Sequence, residues 1–247
     1  MMLARPRRSP VLAARTTGED MLDHSPAALV ITGVMASGKS TVAQLVAVRL
    51  PRAAHVRGDV YRRMIVSGRQ DLTPSLAPEA MAQLRLRYRL AAMTADAYVA
   101  AGFTAVVQDI ILGDDLPAFL DLVQSRPLLL VVLAPRPDVI ETRERARSKS
   151  GYAGSGWSIA DLDRSLRLET PRIGLRIDSS EQAPAQTADE ILRRAWDEAV
   201  VEPLGRDACE DVEVPDRLTS ANDPPLADVF GNESDAAYDR LSRPDPD

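Results

Sequence analysis

One run of residues in this chain has a spacing that chemistry, more than packing, explains. It is Gly33-Val-Met-Ala-Ser-Gly38-Lys39-Ser40, the pattern G-x-x-x-x-G-K-[ST]. Its glycines let backbone wrap around phosphate oxygens with no Cβ in the way. Successive N–H groups and the start of the following helix then face the anion. Lys39 adds a mobile point charge for β- and γ-phosphates, and the Ser40 hydroxyl suits Mg²⁺. The nucleotide-contacting set is therefore Gly33, Ala36, Ser37, Gly38, Lys39, Ser40 and Thr41. Lys39 and Lys149 are the only lysines among 30 basic residues. A compact ammonium at this position is not replaceable by a guanidinium.

A second constellation is Arg57-Gly58-Asp59-Val-Tyr61-Arg62-Arg63. Asp59 stands at the end of an apolar run, where a carboxylate can orient an attacking hydroxyl and accept its proton. It can equally cap the helix expected over 60–68. Arg62 follows one turn later and can hold an anionic acceptor group or the transferring phosphoryl. Asp109 closes a third apolar run, after Val106-Val107-Gln108. It is a candidate for the magnesium water shell, for acceptor contact or for capping a turn. Asp114 and Asp115 are expected to cap the next helix.

Further along, Arg143, Arg145, Arg147 and Lys149 precede a stretch with Gly151, Gly154 and Gly156. Arg143 and Arg147 share one helix face, Arg145 and Lys149 another. Cations beside glycine hinges suit a lid that closes over ATP and neutralises transition-state charge. Glu141 and Glu144 allow the plainer reading of a salt-bridged surface helix. The loop from Asp178 to Pro184 is a candidate adenine wall.

The elements that position these groups alternate. Strands are expected at Ala28–Thr32, Ala53–Arg57, Thr104–Gln108, Leu128–Leu133 and Gly174–Asp178, because short apolar runs bounded by turn residues read as buried parallel strands. Helices are expected over 38–50, 60–68, 78–101, 115–125, 137–149, 159–169 and 187–201, with a capping box at Ser158-Ile-Ala-Asp161. This alternation predicts an α/β fold with a parallel sheet covered by helices on both faces. Ligands in such sheets bind at the carboxyl ends of the strands, where the candidate residues fall.

Composition narrows the function. The 247 residues are 45% hydrophobic and 27% charged, a globular mixture, and only 4% aromatic, which argues against an aromatic nucleic-acid platform. One cysteine, Cys209, and two histidines exclude an internal disulfide and Cys- or His-rich zinc sites. No apolar run approaches the roughly 20 residues that span a membrane. The net charge is −6, but residues 203–247 carry 4 basic and 12 acidic side chains, while 27–202 carry 22 and 21. The near-neutral middle disfavours nucleic acid as a partner. The expected organisation is a disordered extension over 1–26, a kinase domain over 27–202 and a disordered acidic tail over 203–247. ATP use without an export signal implies a cytoplasmic protein.

Together, the phosphate loop, the Asp59–Arg62 pair, Asp109 and the Arg-rich segment resemble the small P-loop kinases of the AAA-family ATPase and phosphotransferase-like group. Relatives include chloramphenicol phosphotransferase, gluconate kinase, zeta toxins and polynucleotide 5′-hydroxyl kinase. The resemblance spans about residues 27–200 and implies a P-loop NTPase sheet ordered 2-3-1-4-5, MgATP as donor and Asp59 as base. It also implies Arg143 and Arg147 as lid cations. The segment 60–101 lacks the gluconate and chloramphenicol motifs, so the acceptor is open. The leading expectation is a kinase for a hydroxyl on a small molecule. The alternatives are a polynucleotide 5′-hydroxyl kinase and an ATP-binding switch without phosphotransfer.

Overall fold

The computed structural model describes residues 24–146, 152 and 155–202. The expected extension over 1–26 lies mostly outside these residues, and the expected tail over 203–247 entirely so. The chain divides into two units, Met1–Leu204 and Gly205–Asp247. All described residues belong to the first.

Five strands form one parallel sheet: β1 Ala28–Gly33, β2 Ala53–Arg57, β3 Thr104–Gln108, β4 Leu128–Leu133 and β5 Leu175–Ile177. Their order is β2-β3-β1-β4-β5, as the resemblance implies. The three central strands are buried along their whole length. Continuous apolar runs such as Leu128-Leu-Leu-Val-Val-Leu133 are what strands covered on both faces require. Ile31 pairs with Gln108 and Arg57 pairs with Gln108, so the ends of β1, β2 and β3 lie level at one edge.

Side-chain alternation divides the core into two layers. Ala28, Val30, Ala105 and Val107 face α3 (Pro78–Ala100) and α4 (Asp115–Leu122), with Tyr88 and Phe119 at the centre. Leu29, Ile31, Val106 and Val131 face α1 (Lys39–Arg49) and α7 (Pro184–Glu198).

Several helices differ from expectation at their ends; α7 runs Pro184–Glu198 against an expected 187–201, and α4 ends at Leu122 against an expected 125. α2 (Gly58–Met64) starts two residues early, so Asp59 lies inside its first turn and does not cap it. Asp114 occupies the N-cap of α4 without a side-chain bond, and Asp115 lies in the first turn. The helix expected over 159–169 is α6 (Ile159–Arg164) followed by a π turn over Ser165–Glu169. Its capping box forms: the Ser158 hydroxyl accepts from the Asp161 N–H at 3.1 Å, and Asp161 accepts from the Ser158 N–H at 2.9 Å. Among the described residues no helix is long and apolar enough to cross a membrane.

Candidate active site

The phosphate loop leaves β1 through Gly33, whose φ is 147°. A Cβ there would stand 2.5 Å from the Leu133 carbonyl oxygen, so the tight exit of the loop requires glycine. Ala36 and Gly38 also have positive φ, 60° and 96°. Lys39 opens α1, is 6% exposed, and curls back to donate from Nζ to the Val34 carbonyl at 2.6 Å. Ser40 and Thr41 are exposed beside it, on the first turn of α1, whose leading N–H groups have no intrahelical acceptor. The Ser37 hydroxyl is buried in the loop without a hydrogen-bond partner. A ring of backbone with an ammonium folded across it and an orphaned hydroxyl fits a phosphate chain.

Asp59 follows the end of β2, two strands from the phosphate loop. Arg63 donates to its Oδ2 at 2.8 Å, and Arg57 Nε lies 3.6 Å from Oδ1. Oδ1 is buried and receives no hydrogen bond. Arg62 does not meet Asp59; it pairs instead with Asp71. Residues three and four apart share a helix face, and Asp71 in the following loop takes the first arginine while the second stays.

Asp109, at the end of β3, is fully buried. Both of its oxygens are engaged by Arg87 of α3, Nε donating to Oδ2 at 2.7 Å and Nη2 to Oδ1. The Ile110 N–H donates to Oδ1 at 2.7 Å. Burial pushes the carboxyl above its ordinary range, while Arg87, Ile110 and Lys39 pull it down. The expectation of a magnesium role for Asp109 thus meets a carboxylate committed to α3. Alternation along β3 puts Asp109 on the α3 face and Gln108 on the α1 face. Gln108 is the buried side chain there, and its Oε1 has no partner. Among the described residues no three His, Cys, Asp or Glu side chains gather as a metal-holding group.

From α5 (Pro137–Arg145), Arg143 reaches the phosphate loop. Nη1 donates to the Ser37 carbonyl at 3.3 Å and Nη2 to the Ser179 carbonyl at 2.7 Å. It therefore ties the loop to the segment expected to wall adenine. Ser180 fastens the same segment by accepting the Arg136 N–H at 2.8 Å. Arg145 pairs on the surface with Glu141 at 3.2 Å, as the plainer reading anticipated. Arg147, Lys149, Gly151 and Gly154 lie outside the described residues. Tyr152 donates from its hydroxyl to the Met35 carbonyl at 3.2 Å.

Arg63 is legible in the sequence only as part of a basic patch with Arg62 and Arg69, and Arg87, Gln108 and Tyr152 are given no role by the sequence. Of these last three only Tyr152 carried a signal, a rare aromatic within a glycine-rich stretch.

The AAA domain family matches residues 29–171, more than half of the chain, and the chain belongs to that family. A search of curated protein sequences finds no match. Among solved structures the chain is similar to a sugar kinase from Janibacter sp. HTCC2649, at 20% identity and TM-score 0.50, covering 68% of this chain and 93% of that one. It is similar to the Mycobacterium tuberculosis APS kinase CysC, solved with AMPPNP and APS, at 20% identity and TM-score 0.51, over 68% and 96% of the two chains. It is also similar to the Deinococcus radiodurans tunicamycin resistance protein, at 17% identity and TM-score 0.51, over 73% and 100%. The shared feature is the P-loop fold.

Proposed function

We propose that the protein is an ATP-dependent kinase that phosphorylates a hydroxyl group of a small molecule. The observation that carries this reading is the pairing of the Gly33–Ser40 cradle with the buried, unfilled Oδ1 of Asp59 at the same edge of the sheet. A phosphate site alone suits any nucleotide-binding protein. A carboxylate oxygen that receives no hydrogen bond, with Arg57 Nε 3.6 Å away, can take an incoming hydroxyl once the Arg57 side chain shifts to uncover it.

In the reaction, the acceptor hydroxyl donates its hydrogen bond to Asp59 Oδ1. Its oxygen forms the new bond to the γ-phosphorus, and the bond from that phosphorus to the β–γ bridging oxygen breaks. The electron pair leaves with ADP, and the hydroxyl proton passes to Asp59. Lys39 turns from the Val34 carbonyl to the β- and γ-phosphates, and Arg143 holds the rim of the loop and shields developing charge. Arg147 is proposed as a second cation from the same segment. Arg62 reaches the acceptor or the phosphoryl group by leaving Asp71, an exposed pair of small cost to open. Mg²⁺, when bound, would offset the negative charge of the phosphate groups during transfer. With Asp109 engaged by Arg87, Ser40 is the protein group that would hold it. The kinase names of the sugar kinase and the APS kinase accord with this reading.

The test is transfer of labelled γ-phosphate from MgATP to a panel of hydroxyl compounds, with Lys39→Ala and Asp59→Asn beside the wild type. Transfer lost in both variants is the expected result. Transfer by Asp59→Asn at the wild-type rate would remove the base from this account. ATP binding with no transfer to any acceptor would favour a nucleotide-dependent switch.

A further inference from the structure

The charge of the acceptor side is unlike that of the rest of the chain. Residues 57–90 hold seven arginines against three acids, Asp59, Asp71 and Glu79, whereas the whole chain has a net charge of −6. Three of those arginines converge on the Gly58–Asp59 corner. Arg63 donates to Asp59 Oδ2 at 2.8 Å, and Arg57 Nε lies 3.6 Å from Oδ1. Arg87 Nε lies 3.1 Å from where a Gly58 Cβ would stand, with its guanidinium committed to Asp109. Three guanidinium groups therefore face two carboxylates. Arg87 is enclosed, but the Arg57 and Arg63 side chains are 46% and 57% exposed, at the mouth of the corner.

We propose that the acceptor is an anionic hydroxy compound, whose carboxylate or phosphate is held by Arg57 and Arg63 while its hydroxyl meets Asp59 Oδ1. The inference rests on the kinase reading above and names the class of its substrate. A guanidinium offers paired N–H groups that match a carboxylate or phosphate edge. Asp59 occupies only part of the donor set of Arg57 and Arg63. A neutral acceptor would leave the surplus positive charge without a partner, whereas an anion takes it up. The hydroxyl proton still passes to Asp59, and the new O–P bond forms as the β–γ bridge breaks.

The experiment uses the full chain and matched acceptor pairs: gluconate and glucose 6-phosphate against glucose, glycerate against glycerol, adenosine 3′-phosphate against adenosine. A 5′-hydroxyl oligonucleotide is a separate arm. Expected is transfer to a charged member with kcat/KM about tenfold or more above its neutral partner. Arg57→Gln and Arg63→Gln should each raise the acceptor KM by about tenfold, with the KM for ATP held within about twofold; kcat changes as well, because both arginines contact Asp59. Arg57→Lys and Arg63→Lys should restore part of the loss. Equal use of charged and neutral partners, or transfer to the oligonucleotide alone, would overturn the proposal and leave the kinase reading standing. Titration with sulfate in the presence of AMPPNP gives a readout without turnover. Sulfate binding lost in the Arg57→Gln/Arg63→Gln double variant supports the anion site even if no acceptor is phosphorylated, in which case only the kinase reading fails. Sulfate binding equal in wild type and double variant overturns the anion site.

Discussion

Arg87 and Asp109 form a buried ion pair directly against Gly58. The Asp109 side chain is 1% exposed and that of Arg87 17%. Through it, the middle of α3, the end of β3 and the start of α2 are joined at one point, and Asp59 is the next residue along. The pair thus positions the proposed base without touching it.

Removing one partner is the severe change. Arg87→Ala leaves a carboxylate buried without its counter-ion, which costs about 3–5 kcal/mol, whereas removing both partners costs much less than the two single losses combined. Urea denaturation of Arg87→Ala, Asp109→Ala and the double variant measures this. Additive losses would show that the pair is not coupled as its geometry indicates.

Gly58 is fixed by the same contact. A Cβ there would stand 1.8 Å from Asp109 Oδ2, so Gly58→Ala must displace either the pair or α2. The expected cost is about 1–3 kcal/mol, with acceptor turnover reduced more than ATP affinity, because α2 follows β2, two strands from the phosphate loop, whereas only Asp109 stands on the strand next to it. Calorimetric unfolding together with ATP titration checks this. An equal loss of ATP affinity would mean that the corner and the loop move together.

These contacts also mark the limit of what was legible in the sequence. β2, β3 and β4 have the bounds read from their apolar runs, because burial on both faces leaves no other pattern for such segments. The phosphate loop was legible because its glycines and lysine answer to a ligand as well as to neighbours. Arg87 was not. It sits between Arg85 and Arg89, and spacing along the helix cannot tell which of the three faces Asp109. That choice is made where α3 passes the end of β3, a tertiary fact. Arg62 and Arg63 pose the same problem at shorter range, since both can reach Asp59 and the loop carrying Asp71 decides between them. The early start of α2 has a like origin, with Gly58 buried against Asp109.

Arg143 bridges two loops through two carbonyls, Ser37 at 3.3 Å and Ser179 at 2.7 Å. Arg143→Ala should weaken ATP binding by about tenfold, the worth of the lost charge-assisted bonds. Arg143→Lys should recover little, because a single ammonium lacks the planar fork that spans both carbonyls. Binding of a fluorescent ATP analogue to the three proteins reads this out. Full recovery with lysine would reduce the role of Arg143 to its charge.

His55 sets a pH dependence near neutrality. Its Nδ1 bonds the Gln44 side-chain oxygen at 2.9 Å, an acceptor, which puts the proton on Nδ1. Nε2 is buried and has no hydrogen-bond acceptor for a second proton. Burial lowers the pKa from the ordinary 6.5; Arg57 lowers it further, and Asp59 opposes both. The unfolded chain therefore takes up a proton more readily than the folded one. The stability from neutral His55 is complete above the ordinary value, falls as pH drops through it, and levels off below the folded value. Urea midpoints from about pH 7.5 down to about pH 5 should fall in the wild type and fall less steeply in His55→Gln, which keeps a donor for Gln44 but does not titrate. Parallel slopes in the two proteins would assign the acid sensitivity to other groups.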